Sequence, residues 1–271
     1  MLKQLSLLAL SISLIFTVAG CTTPDATQVE LKTTNQQITL AVQAELDKLD
    51  LDVKNAAVEL SRAGLSGDET GNILNGLAAK YPFIIDACTT DPAGMMVTVA
   101  PDAYRNYEGT DISTQDVTVK FMQSKKPMLS QMFPAVEGMN AVVLMWPIET
   151  QNAKFAGSIS VLFAPETMLA GASRPILRGT DIALDVVQLD GLNLYDSTGI
   201  DTGLNLFTDP TFKDYTDLLA LGHRMVAEES GSGSYNIVDR QTDVTIAKQA
   251  YWGTVSLDST AWRLMCTKVI Q

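Results

Sequence analysis

The chain has 271 residues, of which 46% are hydrophobic and 18% are charged, and its formal net charge is −12. This acidic balance argues against nucleic acids and anionic lipid surfaces as partners, because both are negatively charged. The length is large for one compact domain and suits two modules of about 100 residues each.

The amino terminus has the pattern of a secretion signal. Lys3 precedes an apolar run from Leu5 to Val18, and this run is shorter than the ~20 residues that a membrane-spanning helix needs. The segment Val18-Ala19-Gly20-Cys21 resembles the lipobox of bacterial and archaeal lipoproteins, in which the cysteine is lipidated and becomes the first mature residue. We therefore expect a signal peptide over residues 1–20 and a lipid on Cys21. The alternative is an ordinary cleaved signal followed by a chance cysteine.

A long helix is predicted from Thr27 to Arg62, because apolar residues recur there at spacings of three and four. They form one narrow stripe of six residues: Val42, Leu46, Leu49, Val53, Ala56 and Leu60. Two interpretations of the stripe stay open, a coiled-coil dimer stem and packing along the chain's own sheets. A shorter helix follows and ends before Pro82, so residues 21–81 are assigned to an anchor linker and the amino-terminal helices.

Beyond Pro82 the sequence changes to short apolar runs typical of strands. Phe83 to Val99 reads as a hairpin around the turn Asp91-Pro92-Ala93-Gly94. A polar, partly helical stretch follows, and then three strand-like runs at residues 128–136, 141–148 and 155–163. Residues 82–165 are therefore predicted to form a module with a five-stranded antiparallel sheet.

The same order of elements repeats after a connecting segment at residues 166–179. A second hairpin turns at Asp190-Gly191, a helix covers Asp214 to Glu228, a loop covers Ser230 to Ser234, and three strands close the chain. Residues 180–271 are thus predicted to form a second module with five strands. The fold class is α/β (α+β), with one long amino-terminal helix before two tandem modules.

Several short stretches stand out because of their order and spacing. They are Gly109-Thr110-Asp111-Ile112-Ser113, Lys126-Pro127, Trp146-Pro147-Ile148, Gly157-Ser158-Ile159-Ser160-Val161, Gly231 to Tyr235 and Ser259 to Leu264. In these the chain resembles the double Cache domains, extracytoplasmic sensors of prokaryotic chemoreceptors and histidine kinases. The resemblance implies two PAS-like modules, membrane-distal at 82–165 and membrane-proximal at 180–271, with a small-molecule pocket usually in the distal one.

The sequence departs from the pattern of family members that bind amino acids or amines. Many of those carry Arg-x-Trp-Tyr after the Asp-x-Ser segment and an Asp in the last distal strand. Here Gln115, Val117 and Thr118 occupy the first three places and Leu162 is nearest to the last. The resemblance therefore disfavours an α-amino acid ligand.

The distal ligand-binding residues are predicted from the elements that would line a pocket in the first module. They are Tyr104, Tyr107, Asp111, Gln115, Met132, Met145, Trp146 and Ser160. An aromatic and thioether lining without a buried cation suits an uncharged ring or a quaternary cation. The alternative is that these side chains are module core.

Patterns of catalysis or metal binding are not visible in the sequence. The only histidine, His223, lies on an amphipathic helix, and neither Gly-x-Ser-x-Gly nor His-Glu-x-x-His occurs. We expect no enzymatic activity, no cofactor and no metal. Cys88 and Cys266 are predicted to be core thiols of different modules.

Together these observations predict a lipid-anchored, extracytoplasmic sensor that captures a small molecule in the distal pocket. Because such a protein conveys occupancy by contact, we expect a membrane receptor or kinase as its partner and the lipid as its sole attachment to the membrane. The alternative function is a structural or interaction lipoprotein with a vestigial pocket.

Overall fold

The computed structural model describes residues 25–238 and 243–270. The signal segment and Cys21 lie outside these residues, so lipid attachment at Cys21 stays a prediction. Within the described ranges, no helix is both long and apolar enough to cross a membrane.

Helix α1 covers Ala26–Ala63 and runs along both modules. Its apolar stripe is buried, and the apolar residues that are at most 1% exposed are Leu31, Ile38, Val42, Leu46, Leu49, Val53 and Leu60. They belong to one continuous core with the two sheets, so the chain's own sheets cover the stripe. Helix α2, Asp68–Lys80, packs beside α1.

The first module contains one antiparallel sheet with six strands. These are β1 (Ile84–Thr90), β2 (Met96–Ala100), β3 (Met128–Leu129), β4 (Phe133–Pro134), β5 (Asn140–Glu149) and β6 (Phe155–Phe163). Their order is β2-β1-β6-β5-β3, and β4 also pairs with β5. A 3-10 helix, Asp102–Tyr107, and helix α3, Asp116–Ser124, lie between β2 and β3.

All five strand runs predicted for this module are present in its sheet, and the sixth strand arises because the run 128–136 is interrupted. Ser130 binds the next strand through its side chain, with the Val143 amide donating to its Oγ at 2.9 Å. Two residues later the Met132 amide leaves the sheet and donates to Oε1 of Gln188 in the second module at 2.6 Å. The run therefore forms two two-residue strands.

The second module has the five strands that were predicted, in the same spatial order as the first. They are β7 (Ala183–Gln188), β8 (Asn193–Asp196), β9 (Gly231–Val238), β10 (Thr245–Leu257) and β11 (Thr260–Ile270), ordered β8-β7-β11-β10-β9. Helix α5, Thr216–Ala227, covers one face of this sheet. The repeat read from the sequence is thus present in the topology.

One segment of this half differs from the prediction, and another, for which no element was predicted, is a helix. The connecting segment 166–179 is largely helix α4, Pro165–Leu177, which packs on α1. The predicted loop at 230–234 is instead the start of β9, where glycine provides close packing. A Cβ on Gly231 would lie 2.3 Å from the Trp252 ring, and one on Gly233 would lie 2.4 Å from Leu221.

Each sheet has one face on the α1 side and a second face covered by its own short helix and loops. Successive side chains along each strand point to opposite faces of the sheet. In β1, for example, Ala87 belongs to the core shared with α1, whereas Cys88 belongs to a separate cluster under the 3-10 helix. Cys88 and Cys266 are both buried, in different sheets, as predicted.

Candidate ligand-binding cavities

The cavity of the second module lies between its sheet and the roof formed by α5 and residues 198–215. Its volume is about 460 Å³, within the range of small-molecule sites. The floor includes Asp185, Tyr235, Lys248 and Met265, and the roof includes Leu204, Leu206, Phe212, Tyr215, Leu218 and Met225. Most of the wall is apolar or aromatic, with a few polar groups at one side.

Asp185 is the acidic group on the floor of this cavity. Its Oδ1 accepts a hydrogen bond from Asn193 Nδ2 at 3.0 Å. Burial, followed by the neighbouring charge of Asp196, raises the pKa of Asp185 to about 7, and Asn193 and Lys248 act in the opposite direction. When this carboxylate is ionised, the surrounding cavity wall therefore solvates its charge poorly.

Asp196 also lines the cavity but its carboxylate is engaged in its own loop. It accepts from the amides of Thr198 at 2.8 Å, Ile200 at 2.9 Å and Asp201 at 3.0 Å. These bonds hold the roof loop in place. The Asp185 carboxylate accepts one hydrogen bond among the described residues, so it has capacity left for a guest.

Sequence reasoning missed Asp185, although a signal was present. Leu184 and Val186 on either side are fully buried on the α1 face, so strand alternation directs Asp185 to the opposite face. A single charge in the middle of an apolar strand is costly unless the charge has a role or a partner. The single acidic residue between buried apolar neighbours was therefore the signal for this site in the sequence.

The smaller cavity lies in the first module and has a volume of about 40 Å³, enough for about three water molecules. Three of the predicted residues line it: Gln115, Met145 and Ser160. Ser160 in β6 pairs directly with Met145 in β5 and with Cys88 in β1. The structure therefore brings the centre of the predicted distal site together.

Three other predicted residues lie beside this cavity without lining it. The rings of Tyr104 and Tyr107 stack with centroids 6.4 Å apart on the 3-10 helix and pack over Met96 and Cys88. Asp111 is exposed, and its carboxylate accepts from the Ser113 amide at 2.9 Å. The Ser113 side chain, followed by this amide, lowers the pKa of Asp111 through hydrogen bonds.

Trp146 and Met132 lie away from the cavity, contrary to the prediction. Trp146 follows Met145 in the strand and so points to the opposite face, where its Nε1 donates to Asp50 Oδ1 of α1 at 2.6 Å. Met132 packs into the core shared by the two modules. Adjacent strand residues cannot both line one face, so Met145 and Trp146 were mutually exclusive choices.

Asp86 is a second carboxylate that sequence reasoning missed. It lines the smaller cavity from β1 and is 1% exposed, and its Oδ2 has no hydrogen-bond partner among the described residues. Burial, followed by the nearby Glu137 carboxylate, raises the pKa of Asp86 to about 8.

Metal binding is not indicated, because no three His, Cys, Asp or Glu side chains in the described ranges are placed to hold an ion.

The arrangement of a long helix beside two sheets of the same strand order matches the PAS-like modules inferred from the sequence. Residues 44–165 match the family described as HK/GC/Chemotaxis protein-like, sensor domain. The match and the fold make the chain similar to extracellular sensor domains of the Cache type, such as those of chemoreceptors and histidine kinases. The resemblance stated from the sequence is thereby confirmed.

Solved structures of this class are similar over nearly the whole described chain. An extracellular ligand-binding receptor from Desulfohalobium retbaense is 29% identical with a TM-score of 0.75, covering 88% of this chain, and the match spans 40% of the receptor's own length. The ligand-binding domain of the Pseudomonas fluorescens chemoreceptor CtaA, in complex with L-alanine, is 13% identical with a TM-score of 0.64, covering 90% of this chain and 97% of that one.

The periplasmic sensory domain of the Campylobacter jejuni chemoreceptor Tlp1 is also 13% identical, with a TM-score of 0.63 and coverage of 89% of this chain and 94% of that one. At this identity the likeness to CtaA and Tlp1 concerns the fold. No curated protein matches the sequence.

Proposed function

We propose that the protein is a lipid-anchored, extracytoplasmic sensor that binds a small molecule and signals by contact with a membrane receptor or kinase, without enzymatic activity of its own. The single observation that carries this proposal is the cavity of about 460 Å³ in the second module. A cavity of this size, with an apolar wall and a few convergent polar groups, is typical of ligand sites. The vestigial-pocket alternative does not account for it.

The chemistry of the wall favours an organic cation with an apolar body. The carboxylate of Asp185 provides one counter-charge, and the rings of Tyr215 and Tyr235 provide faces that attract cations. Lys248 is the basic side chain among the lining residues. Asp196 and Asp201 also line the cavity. The carboxylate of an α-amino acid would be repelled by these side chains, so we retain the expectation that the ligand is not an α-amino acid.

The distal site that was predicted in the first module remains a second proposal, beside the cavity of the second module. As it stands, its cavity of about 40 Å³ admits only a very small guest. Capture of a larger ligand there requires the segment Phe133–Glu137 to move outward, because this segment forms one wall. In that case Met145→Ala should weaken binding by more than about 1 kcal/mol through lost contact area, whereas exposed Arg105 should matter less.

The direction of α1 supports the proposed placement of the modules relative to the membrane. Its amino-terminal part packs on the second module, where Asn35 Nδ2 donates to the Leu264 carbonyl at 2.6 Å. Its carboxy-terminal part packs on the first module through Asp50 and Trp146. A lipid on Cys21 would therefore put the second module, residues 180–271, next to the membrane and the first, residues 82–165, farther from it.

A thermal-shift screen against a panel of metabolites tests the proposal. A ligand present at a hundred times its dissociation constant should stabilise the protein by about 2.7 kcal/mol. We expect hits among organic amines and quaternary ammonium compounds, and we expect Asp185→Asn to abolish them. Glu59→Gln, an exposed α1 variant with the same change in net charge, should retain them. No stabilisation by any compound would favour the structural lipoprotein instead.

A further inference from the structure

The segment that forms one wall of the first-module cavity is attached to the second module. Residues of the segment Phe133–Glu137 line this cavity. Just before the segment, the chain is bonded to the second module twice. Thr260 Oγ1 donates to the Leu129 carbonyl at 2.6 Å, and the Met132 amide donates to Gln188 Oε1 at 2.6 Å. The position of the wall therefore depends on both modules.

Gln188, the last residue of β7, is fully buried and uses both ends of its side-chain amide. While its Oε1 accepts from Met132, its Nε2 donates to Asp190 Oδ1 at 3.3 Å. The same Asp190 oxygen accepts from the Leu192 amide at 3.0 Å. Because a glutamine amide has an acceptor end and a donor end, one side chain connects the first-module segment to the turn between β7 and β8.

The turn between β7 and β8 is bonded in its turn to the roof of the second-module cavity. Asn205 Nδ2 donates to the Asp190 carbonyl at 3.0 Å, and the Leu206 amide donates to the Gly191 carbonyl at 2.8 Å. Leu206 lines the cavity. A Cβ on Gly191 would lie 2.4 Å from the Phe207 ring, so the turn and the roof pack without a gap. A shift of this turn must therefore shift the roof.

We propose that Gln188 couples the two cavities, so that a movement of the first-module wall, residues 133–137, shifts the second-module roof, residues 204–207, and the reverse. An outward movement of the wall pulls the Met132 amide away from Gln188. The buried Gln188 amide has no water to replace this partner, and an unpaired buried amide is costly. Its side chain must then turn, which withdraws the donor from Asp190. The two ends of the connection therefore move together most favourably, whatever ligand either cavity binds.

Amide hydrogen exchange on the full-length protein in detergent, without ligand, tests the coupling. Ala135→Leu overpacks the first-module wall and should push it outward. The roof amide of Leu206 should then exchange at least about fivefold faster than in wild type. Gln188→Met has a similar shape but no amide, and in its background Ala135→Leu should change the Leu206 rate by less than about twofold. Amides of the central strand β11 report global unfolding and serve as the reference.

The reverse perturbation gives a second test, which stays decisive if Ala135→Leu does not fold. Leu206→Ala in the roof should speed exchange of the Ala135 amide, which donates to the Met139 carbonyl at 2.9 Å, because a coupling free energy is reciprocal. Gln188→Met should remove this effect too. Val119→Ala, on an exposed α3 residue, is the control and should change neither rate. The proposal is overturned if neither perturbation alters exchange in the other module, or if both effects persist at full size with Gln188→Met.

Discussion

Replacement of Asp185 by asparagine should stabilise the free protein while removing its ligand. The side chains have nearly the same shape, and the asparagine oxygen can still accept from Asn193. What changes is the charge, which the cavity wall solvates poorly. The rise of the Asp185 pKa from 3.8 to about 7 corresponds to about 4 kcal/mol, at ~1.4 kcal/mol for each pKa unit.

The sign of the pH dependence follows from the raised pKa. In the unfolded chain this carboxyl ionises near its ordinary pKa, whereas in the folded protein it stays protonated until about pH 7. Asp185 therefore lowers the free energy of unfolding progressively as pH rises from about 4 to about 7, and the loss is complete above that range. The gain from Asp185→Asn should be close to zero near pH 4 and approach about 4 kcal/mol near pH 8.

Urea denaturation of wild type and Asp185→Asn across this pH range, without added ligand, measures the difference. Subtracting the two curves removes the contributions of all other carboxyls. Glu59→Gln serves as the control and should give a difference near zero throughout. A difference between Asp185→Asn and wild type that does not vary with pH would show that Asp185 is well solvated, and the electrostatic basis for a cationic ligand in this cavity would fail.

Four further variants test the anchor and the packing. Cys21→Ala should leave the fold intact and release the protein from membranes, and retention after a carbonate wash would contradict lipid anchoring. Trp262→Ala should cost about 3–5 kcal/mol, because Trp262 is 1% exposed; an unchanged melting temperature would contradict its core role. Gly157→Ala should cost about 1–3 kcal/mol, because its φ is +147° and a Cβ would lie 2.2 Å from the Thr90 carbonyl oxygen. Gly71→Ala, in open space on α2, should instead stabilise by about 0.5–1 kcal/mol, and equal melting shifts for the two glycine variants would refute the packing argument.

The sequence alone was sufficient for the local and repeating features of the fold. The apolar spacing of α1 predicts a buried stripe at Val42 to Leu60, and every residue of that stripe is buried. Period-two alternation and turn residues locate the hairpins, and the order of elements reveals the second module. These features depend on near neighbours in the chain, so hydrophobic periodicity and turn chemistry determine them.

The sites depended on the tertiary structure. Sequence reasoning placed Trp146 beside Met145 in one pocket, and only the register of β5 against β6 shows which of the two faces the cavity. Asp86 and Glu137 are distant in the chain, and only the folded structure makes them line the same cavity. Cavity volume is likewise a property of the assembled roof and floor, because it depends on how closely loops and helices pack on a sheet. For this reason the pattern of residues predicted two similar modules, whereas the packing gave the second a ligand-sized cavity and the first a small polar one.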